Sequence, residues 1–167
     1  MRAGAISANL IEFPGTPLPF PVKTLFANSQ EAEAAFYDAF SKGNLDAMMA
    51  VWADDDDIYC VHPGTPRVNG IEQVRESWRR IFASGQTLRF QLRSRHSVHG
   101  MMFAVHSIYE QITVTGQGQA PNPMLATNIY LRTDRGWRMV AHHAAPAPAT
   151  PEVVSEPGAK RTPKTLH

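Results

Sequence analysis

The sequence predicts an α+β domain in which three helices precede a mostly antiparallel sheet. Two observations carry that prediction. Apolar residues recur at helical spacing from Asn28 to Gly85, then switch to alternation from Thr87 to Ala144. The 13 prolines crowd the ends of the 167-residue chain, with four in residues 1–28, five in 146–167 and four between. The domain is therefore assigned to 29–145. A Pro-rich apolar arm (1–28) precedes it, and a tail (146–167) without periodicity, expected to be disordered, follows.

Each element has a local reason. Asn28 followed by Glu31 is a capping-box-like start; Ala32, Ala35, Phe36, Ala39 and Phe40 follow at helical spacing, and Lys42-Gly43 closes the helix. A second short helix carries Leu45, Met48, Met49 and Trp52 on one face. Ile58–Val61 is strand-like, and Pro63-Gly64-Thr65-Pro66 forms a turn. The third helix starts near Gly70, buries Ile71, Val74, Trp78, Ile81 and Phe82, and ends at Ser84-Gly85. Leu88, Phe90 and Leu92 then alternate with Arg89, Gln91 and Arg93 in the first long strand. His99-Gly100 turns it into a second, about Met102 to Thr115. After a Gly- and Pro-rich loop, Leu125–Arg132 and Trp137–Ala144 form a hairpin across Thr133–Gly136.

Composition excludes several functions. The formal net charge of +1 lacks the basic footprint of a nucleic-acid binder and offers no polybasic segment for a membrane surface. The single cysteine, Cys60, excludes an intramolecular disulfide and a zinc site built on thiolates. Pro14, Pro17, Pro19 and Pro21 interrupt the apolar N-terminal stretch, so neither a signal peptide nor a membrane span is expected, and the cytoplasm is the expected location. The Asp54–Asp57 run lacks the alternating ligands, glycine turn and distal Glu of a calcium loop, and is read as a solvated acidic loop.

Four words in the sequence are distinctive: G-N-L-D-A-M-M-A-V-W-A-D-D-D (43–56), H-P-G-x-P-x-x-x-G (62–70), A-T-N-I-Y-L-R (126–132) and G-W-R-M-V-A-H-H-A (136–144). Together with the element order they resemble the NTF2-like superfamily and, within it, the SnoaL-like proteins, over about residues 29–146. The resemblance implies a cone: a strongly curved sheet wrapped by helices around a pocket. It also implies a homodimer through the outer face of the sheet. It does not choose an activity, because the superfamily includes isomerases, epoxide hydrolases, cyclases, dehydratases and non-catalytic binding modules.

Three residues are candidates for chemistry. His62 ends a strand just before the Pro63-Gly64 turn. A histidine there is ordinarily a surface or capping residue. In the ketosteroid isomerases that the chain resembles, this turn carries the catalytic carboxylate, so the resemblance places His62 in the pocket as a general base. Counted back from Gly136, Asn128 falls where those isomerases hold a carboxylic acid that donates to the developing oxyanion; an amide can donate in the same direction. On the last strand, alternation places Trp137, Met139, Ala141 and His143 on the cone side by the same alignment, and Arg138, Val140 and His142 opposite. His143 is thus the expected third member, a buried structural histidine being the bland alternative.

Phe36, Trp52, Tyr59, Trp78, Tyr130 and Met139 are expected to line the ligand site, although helical spacing makes Trp52 and Trp78 equally good core residues. Phe36 aligns with the isomerases' oxyanion tyrosine, which removes that donor; Tyr37 stands about 100° away on the helix. His96, His99 and His106 have no distinguishing spacing. No metal or other cofactor is expected. Two functions remain open: proton-transfer chemistry of isomerase, cyclase or dehydratase type on a small, largely apolar molecule, and a non-catalytic small-molecule-binding or dimerisation module.

Overall fold

A computed structural model describes residues 25–116 and 122–147; the first 24 residues of the arm, the tip of the Gly/Pro loop and the tail beyond 147 lie outside it. The elements run α1 (Ser29–Lys42), α2 (Leu45–Val51), β1 (Tyr59–Val61), β2 (Val68–Asn69), α3 (Gly70–Phe82), β3 (Leu88–His99), β4 (Phe103–Val114), β5 (Asn122–Thr133) and β6 (Gly136–Pro146). The fold is α+β as the sequence predicts.

Local chemistry sets the helix ends. Asn28 Oδ1 accepts from the Glu31 amide at 2.8 Å, and Glu31 Oε2 accepts from the Ala27 amide at 2.8 Å. Gly43 ends α1 in the left-handed region at φ 61°, where a β-carbon is costly. Asn44 caps α2 through the Ala47 amide at 3.0 Å.

The six strands form one sheet in the order β2-β1-β6-β5-β4-β3. Only β1 and β6 run parallel; the other pairs are antiparallel. Two irregularities bend it. β3 shifts register between Arg93 and His96, with Ser94 at φ 48°. In β6, Tyr130 pairs with Met139 and Ile129 with Ala141, so Val140 is an extra, unpaired residue.

All three helices cover the inner face of this sheet. Phe36, Met48, Val51, Ile58, Cys60, Val74, Trp78, Ile108, Tyr130 and Met139 are buried together there. The end of the N-terminal arm joins this core: Phe26 is buried, its carbonyl accepts from the Trp137 amide at 2.9 Å, and the Arg138 guanidinium stacks 5.1 Å from its ring. At the other end β6 continues through Pro146, one residue beyond the expected limit of the domain.

Candidate functional site

The inner face of β5 carries Ala126, Asn128 and Tyr130, all fully buried, and β4 contributes Ala104, His106, Ile108 and Glu110 beside them. Polar side chains in such a place need partners. Here they form two adjoining clusters.

The first cluster is a directed chain. His142 Nδ1 lies 2.7 Å from Asn128 Oδ1; Asn128 Nδ2 donates to the Tyr37 hydroxyl at 3.3 Å; Tyr37 donates to Glu110 Oε1 at 2.6 Å. An amide oxygen only accepts, so Nδ1 carries the His142 proton and Nε2 is left as an acceptor. Burial holds His142 neutral, its pKa depressed to about 3 with smaller contributions from His62 and His143. Burial also raises the Glu110 carboxyl to about 7; the Tyr37 hydrogen bond opposes that rise and the nearby Glu33 adds to it. The Tyr37 hydroxyl is pushed far up by burial and the Glu110 charge, so it does not ionise.

His62 stands at the half-buried edge of the same compartment. Its ring meets Trp78 edge-on at 4.7 Å and lies 6.4 Å from that of His142; Trp78 is 6.1 Å from His142. His62 Nε2 is 3.1 Å from Ser77 Oγ, whose own proton goes to the Val74 carbonyl at 2.7 Å. The His62 proton is therefore on Nε2, and Nδ1 is the acceptor. Burial lowers the His62 pKa to about 4. Phe36, Phe40, Trp78 and Phe82 complete an aromatic wall, with Phe36 5.1 Å from His142 and Phe40 4.8 Å from Trp78. Among the described residues the buried Trp78 indole Nε1 finds no hydrogen-bond partner, and neither do the Trp52 indole and the Tyr130 hydroxyl. Cys60 lies beneath His62, but burial pushes its thiol up to about 12, which keeps it a poor nucleophile.

The second cluster sits toward the start of α1. His106 Nδ1 meets Glu33 Oε2 at 2.5 Å, Ser29 Oγ lies 3.2 Å from His106 Nε2, and Arg95 Nη2 reaches Glu33 Oε1 at 2.9 Å. This is the order of a nucleophile, base and acid, yet Ser29 is only 2% exposed. The group ties α1 to the sheet and presents no open hydroxyl. Tyr130 packs 5.1 Å from the His106 ring.

The expected site residues thus separate. His62, Asn128, Phe36 and Trp78 belong to one compartment. Trp52 and Met139 are buried behind it, Trp52 bridging to Met139 across the backbone. Tyr130 lies between the two clusters, its ring against His106 and its hydroxyl influenced by Asn128 and Glu110 as well as Glu33. Tyr59 pairs with Asn69 and Ala141 and stacks under the Arg67 guanidinium at 5.8 Å, apart from the histidines.

His143 requires a correction. It is exposed on the outer face, where with Tyr109, Leu125, Thr127, Ala145 and Pro146 it lines an open cavity of about 260 Å³. The Val140 bulge resets alternation along β6 and turns His142 inward opposite Asn128. Tyr37, Glu110 and His142 were not singled out in the sequence. Tyr37 had a signal: Ser29, Ala32, Glu33, Phe36 and Tyr37 form one broad inward stripe of α1. The bulge had none.

Among the described residues no group of three or more His, Cys, Asp or Glu side chains is arranged to hold a metal ion, and no helix is long and apolar enough to cross a membrane.

Comparison with known proteins agrees with this architecture. The family model for the SnoaL-like domain matches residues 30–149. A candidate calcium/calmodulin-dependent protein kinase type II association domain from Thiobacillus denitrificans is 39% identical, with a TM-score of 0.70 over 75% of this chain and 99% of that one. A candidate dehydratase of the NTF2-like family from Streptomyces avermitilis is 29% identical, with a TM-score of 0.67 over 72% of this chain and 94% of that one. The F-box protein SKIP8 of Arabidopsis thaliana is 26% identical over 110 residues, 66% of this chain; the chain spans 46% of that relative's length.

Proposed function

The chain belongs to the SnoaL-like domain family, and from that premise we propose that it binds a small, flat, largely apolar carbonyl compound beside His62 and moves a proton on it without a cofactor. The observation that carries this reading is the arrangement around Trp78. A neutral imidazole whose Nδ1 carries no proton, with the Cys60 sulfur 3.9 Å away, lies 4.7 Å from an indole ring whose buried N–H finds no partner among the described residues. A base and an unused donor are the two groups that enolisation needs.

In the step this arrangement supports, His62 Nδ1 takes a proton from the carbon next to the carbonyl. The C–H electron pair becomes the new C=C bond, and the carbonyl π pair moves onto oxygen, where the Trp78 N–H supports the charge. From a β,γ-unsaturated ketone the dienolate takes the proton back from His62 at the γ-carbon, giving the conjugated isomer; from a β-hydroxy ketone the enolate expels the hydroxyl, which takes the His62 proton and leaves as water. Neither needs an oxidant. Phe36, Phe40 and Phe82 supply an apolar wall, and Asn128 orients His142 as a second proton-transfer group. The name of the Streptomyces relative, a candidate dehydratase, is compatible with this class.

The reading extends to a homodimer through the outer face of the sheet. Phe103 and Leu131 are direct cross-strand neighbours there, 43% and 41% exposed, with Leu125 and Val98 on the same face. Removing this surface from water would favour a second copy of the chain.

The test uses β-tetralone as a bicyclic probe, with binding followed by tryptophan fluorescence and exchange of its α-protons followed by proton NMR in deuterated buffer. Accelerated exchange that disappears in His62→Ala supports the enzyme. Binding without exchange favours a binding module, and neither binding nor exchange overturns the reading.

A further inference from the structure

We propose that Glu110 is a positioning residue that sets, through Tyr37 and Asn128, which nitrogen of His142 carries the proton, and thereby whether His142 presents an acceptor or a donor to a bound molecule. This rests on the proposed role of the histidine compartment, but its test needs no substrate.

The argument is one of hydrogen-bond accounting. Glu110, Asn128 and His142 are no more than 3% exposed and Tyr37 is 7% exposed. Burial to this degree shields the chain from bulk solvent, so each donor is matched to the next acceptor. With Glu110 ionised, the carboxylate can only accept, and Tyr37 must donate to it. The Tyr37 oxygen then accepts from Asn128 Nδ2, and Asn128 Oδ1 accepts from His142 Nδ1–H. Nε2 is bare. With Glu110 protonated and donating to Tyr37, the direction reverses. Tyr37 donates to the amide oxygen of a flipped Asn128, the amide nitrogen donates to a bare His142 Nδ1, and the imidazole proton sits on Nε2. Apart from the exchange of the Asn128 amide oxygen and nitrogen, the side chains keep their places, and His142 stays neutral throughout.

Two features make the reversal accessible. Burial and the neighbouring Glu33 place the Glu110 titration at about 7. His142 itself does not charge in that range, because burial holds it at about 3. The groups near Glu110 are Tyr37 and Glu33 from α1, Tyr130 from β5, and His106 four residues away on the same face of β4; Arg95 of β3 acts through Glu33. Tyr37 is the group hydrogen-bonded to Glu110, while Glu33 is already engaged with Arg95 and His106. In the first state His142 Nε2 accepts a proton from an enol or hydroxyl; in the second it donates to a carbonyl oxygen.

Imidazole nitrogen NMR on the full chain tests this. From acid to alkaline pH, His142 Nε2 is expected to move from the protonated to the unprotonated shift range, and Nδ1 the opposite way, with a midpoint following the Glu110 carboxyl at about 7. Glu110→Gln should abolish that pH response, and Tyr37→Phe, which keeps the ring packing, should uncouple His142 from Glu110. Protonation of both His142 nitrogens together, a fixed tautomer while Glu110 titrates, or an unchanged response in either variant overturns the proposal. Loss of ketone exchange with the NMR response intact would instead count against the enzymatic reading alone.

Discussion

Asn128 on β5 and His142 on β6 face each other across the ladder, and Asn128 Oδ1 lies 2.7 Å from His142 Nδ1. In the arrangement shown, this contact places the His142 proton on Nδ1, occupies the amide oxygen and leaves Nε2 without a proton. The Asn128 amide is thus engaged at both ends, its oxygen by His142 and its nitrogen by the Tyr37 hydroxyl.

Asn128→Ala should leave the buried His142 N–H unpaired and lower stability by about 1–3 kcal/mol. Urea denaturation followed by tryptophan fluorescence measures this. A midpoint equal to that of the parent would mean that water satisfies the imidazole instead.

His62→Ala and His143→Ala separate the compartment from the outer face. His62 is half-buried against Trp78, so its loss should eliminate ketone exchange, a drop of about 100-fold or more for a removed general base, with the fold retained. His143 is exposed on the opposite face, and its removal should leave exchange within about twofold. The reverse ranking in a rate assay would relocate the site.

What the sequence made legible follows from these same residues. Helix and strand boundaries were readable because capping pairs such as Asn28–Glu31 and turn glycines such as Gly43 act locally. The cone and its His62 turn are readable through the family resemblance carried by the element order and the words at 43–56, 62–70, 126–132 and 136–144. Side-chain facing on β6 was not. One bulged residue, Val140, exchanges the roles of His142 and His143, and nothing local in V-A-H-H marks it. The contact between Glu33 and His106 is not legible for another reason: its residues lie 73 positions apart and meet only when α1 packs on β4. Pattern reading finds faces of elements; it does not find polar partners across them.

Gly136→Ala should destabilise the hairpin and undock the arm. Gly136 has φ +83°, and a β-carbon there would stand 2.7 Å from the Phe26 carbonyl oxygen. The expected cost is about 1–3 kcal/mol, with faster amide exchange at Trp137, whose N–H bonds that carbonyl. Unchanged exchange at Trp137 would show that the Phe26 contact survives.

Leu131→Glu tests the outer-face dimer. Leu131 is 41% exposed and directly opposite Phe103, so a carboxylate there should cost a lone chain little. Buried in a dimer, it would be an unpaired charge at an apolar interface. Sedimentation should show a dimer for the parent and a monomer for the variant. A monomeric parent, or a variant that stays dimeric, removes this face as the interface.

The pH dependence of stability should divide between the histidines and Glu110 with opposite signs. His62 and His142 fall from 6.5 in the unfolded chain to about 4 and about 3 when folded. The unfolded state binds their protons more tightly, so their contribution is full above 6.5 and is lost as pH falls toward those values. Glu110 rises from 4.5 to about 7, so the folded state binds its proton more tightly; that contribution is full below 4.5 and is lost as pH rises to about 7. Between 4.5 and 6.5 two histidine protons oppose one glutamate proton, and these groups together lower stability by about 1.4 kcal/mol per pH unit of acidification. Glu110→Gln removes the opposing proton, so its slope in the same window should be steeper by about another 1.4 kcal/mol per unit. Groups common to both proteins cancel in that difference. Guanidinium titrations near pH 5 and near pH 6 measure it, and parallel slopes would mean that Glu110 does not hold its proton in the folded chain.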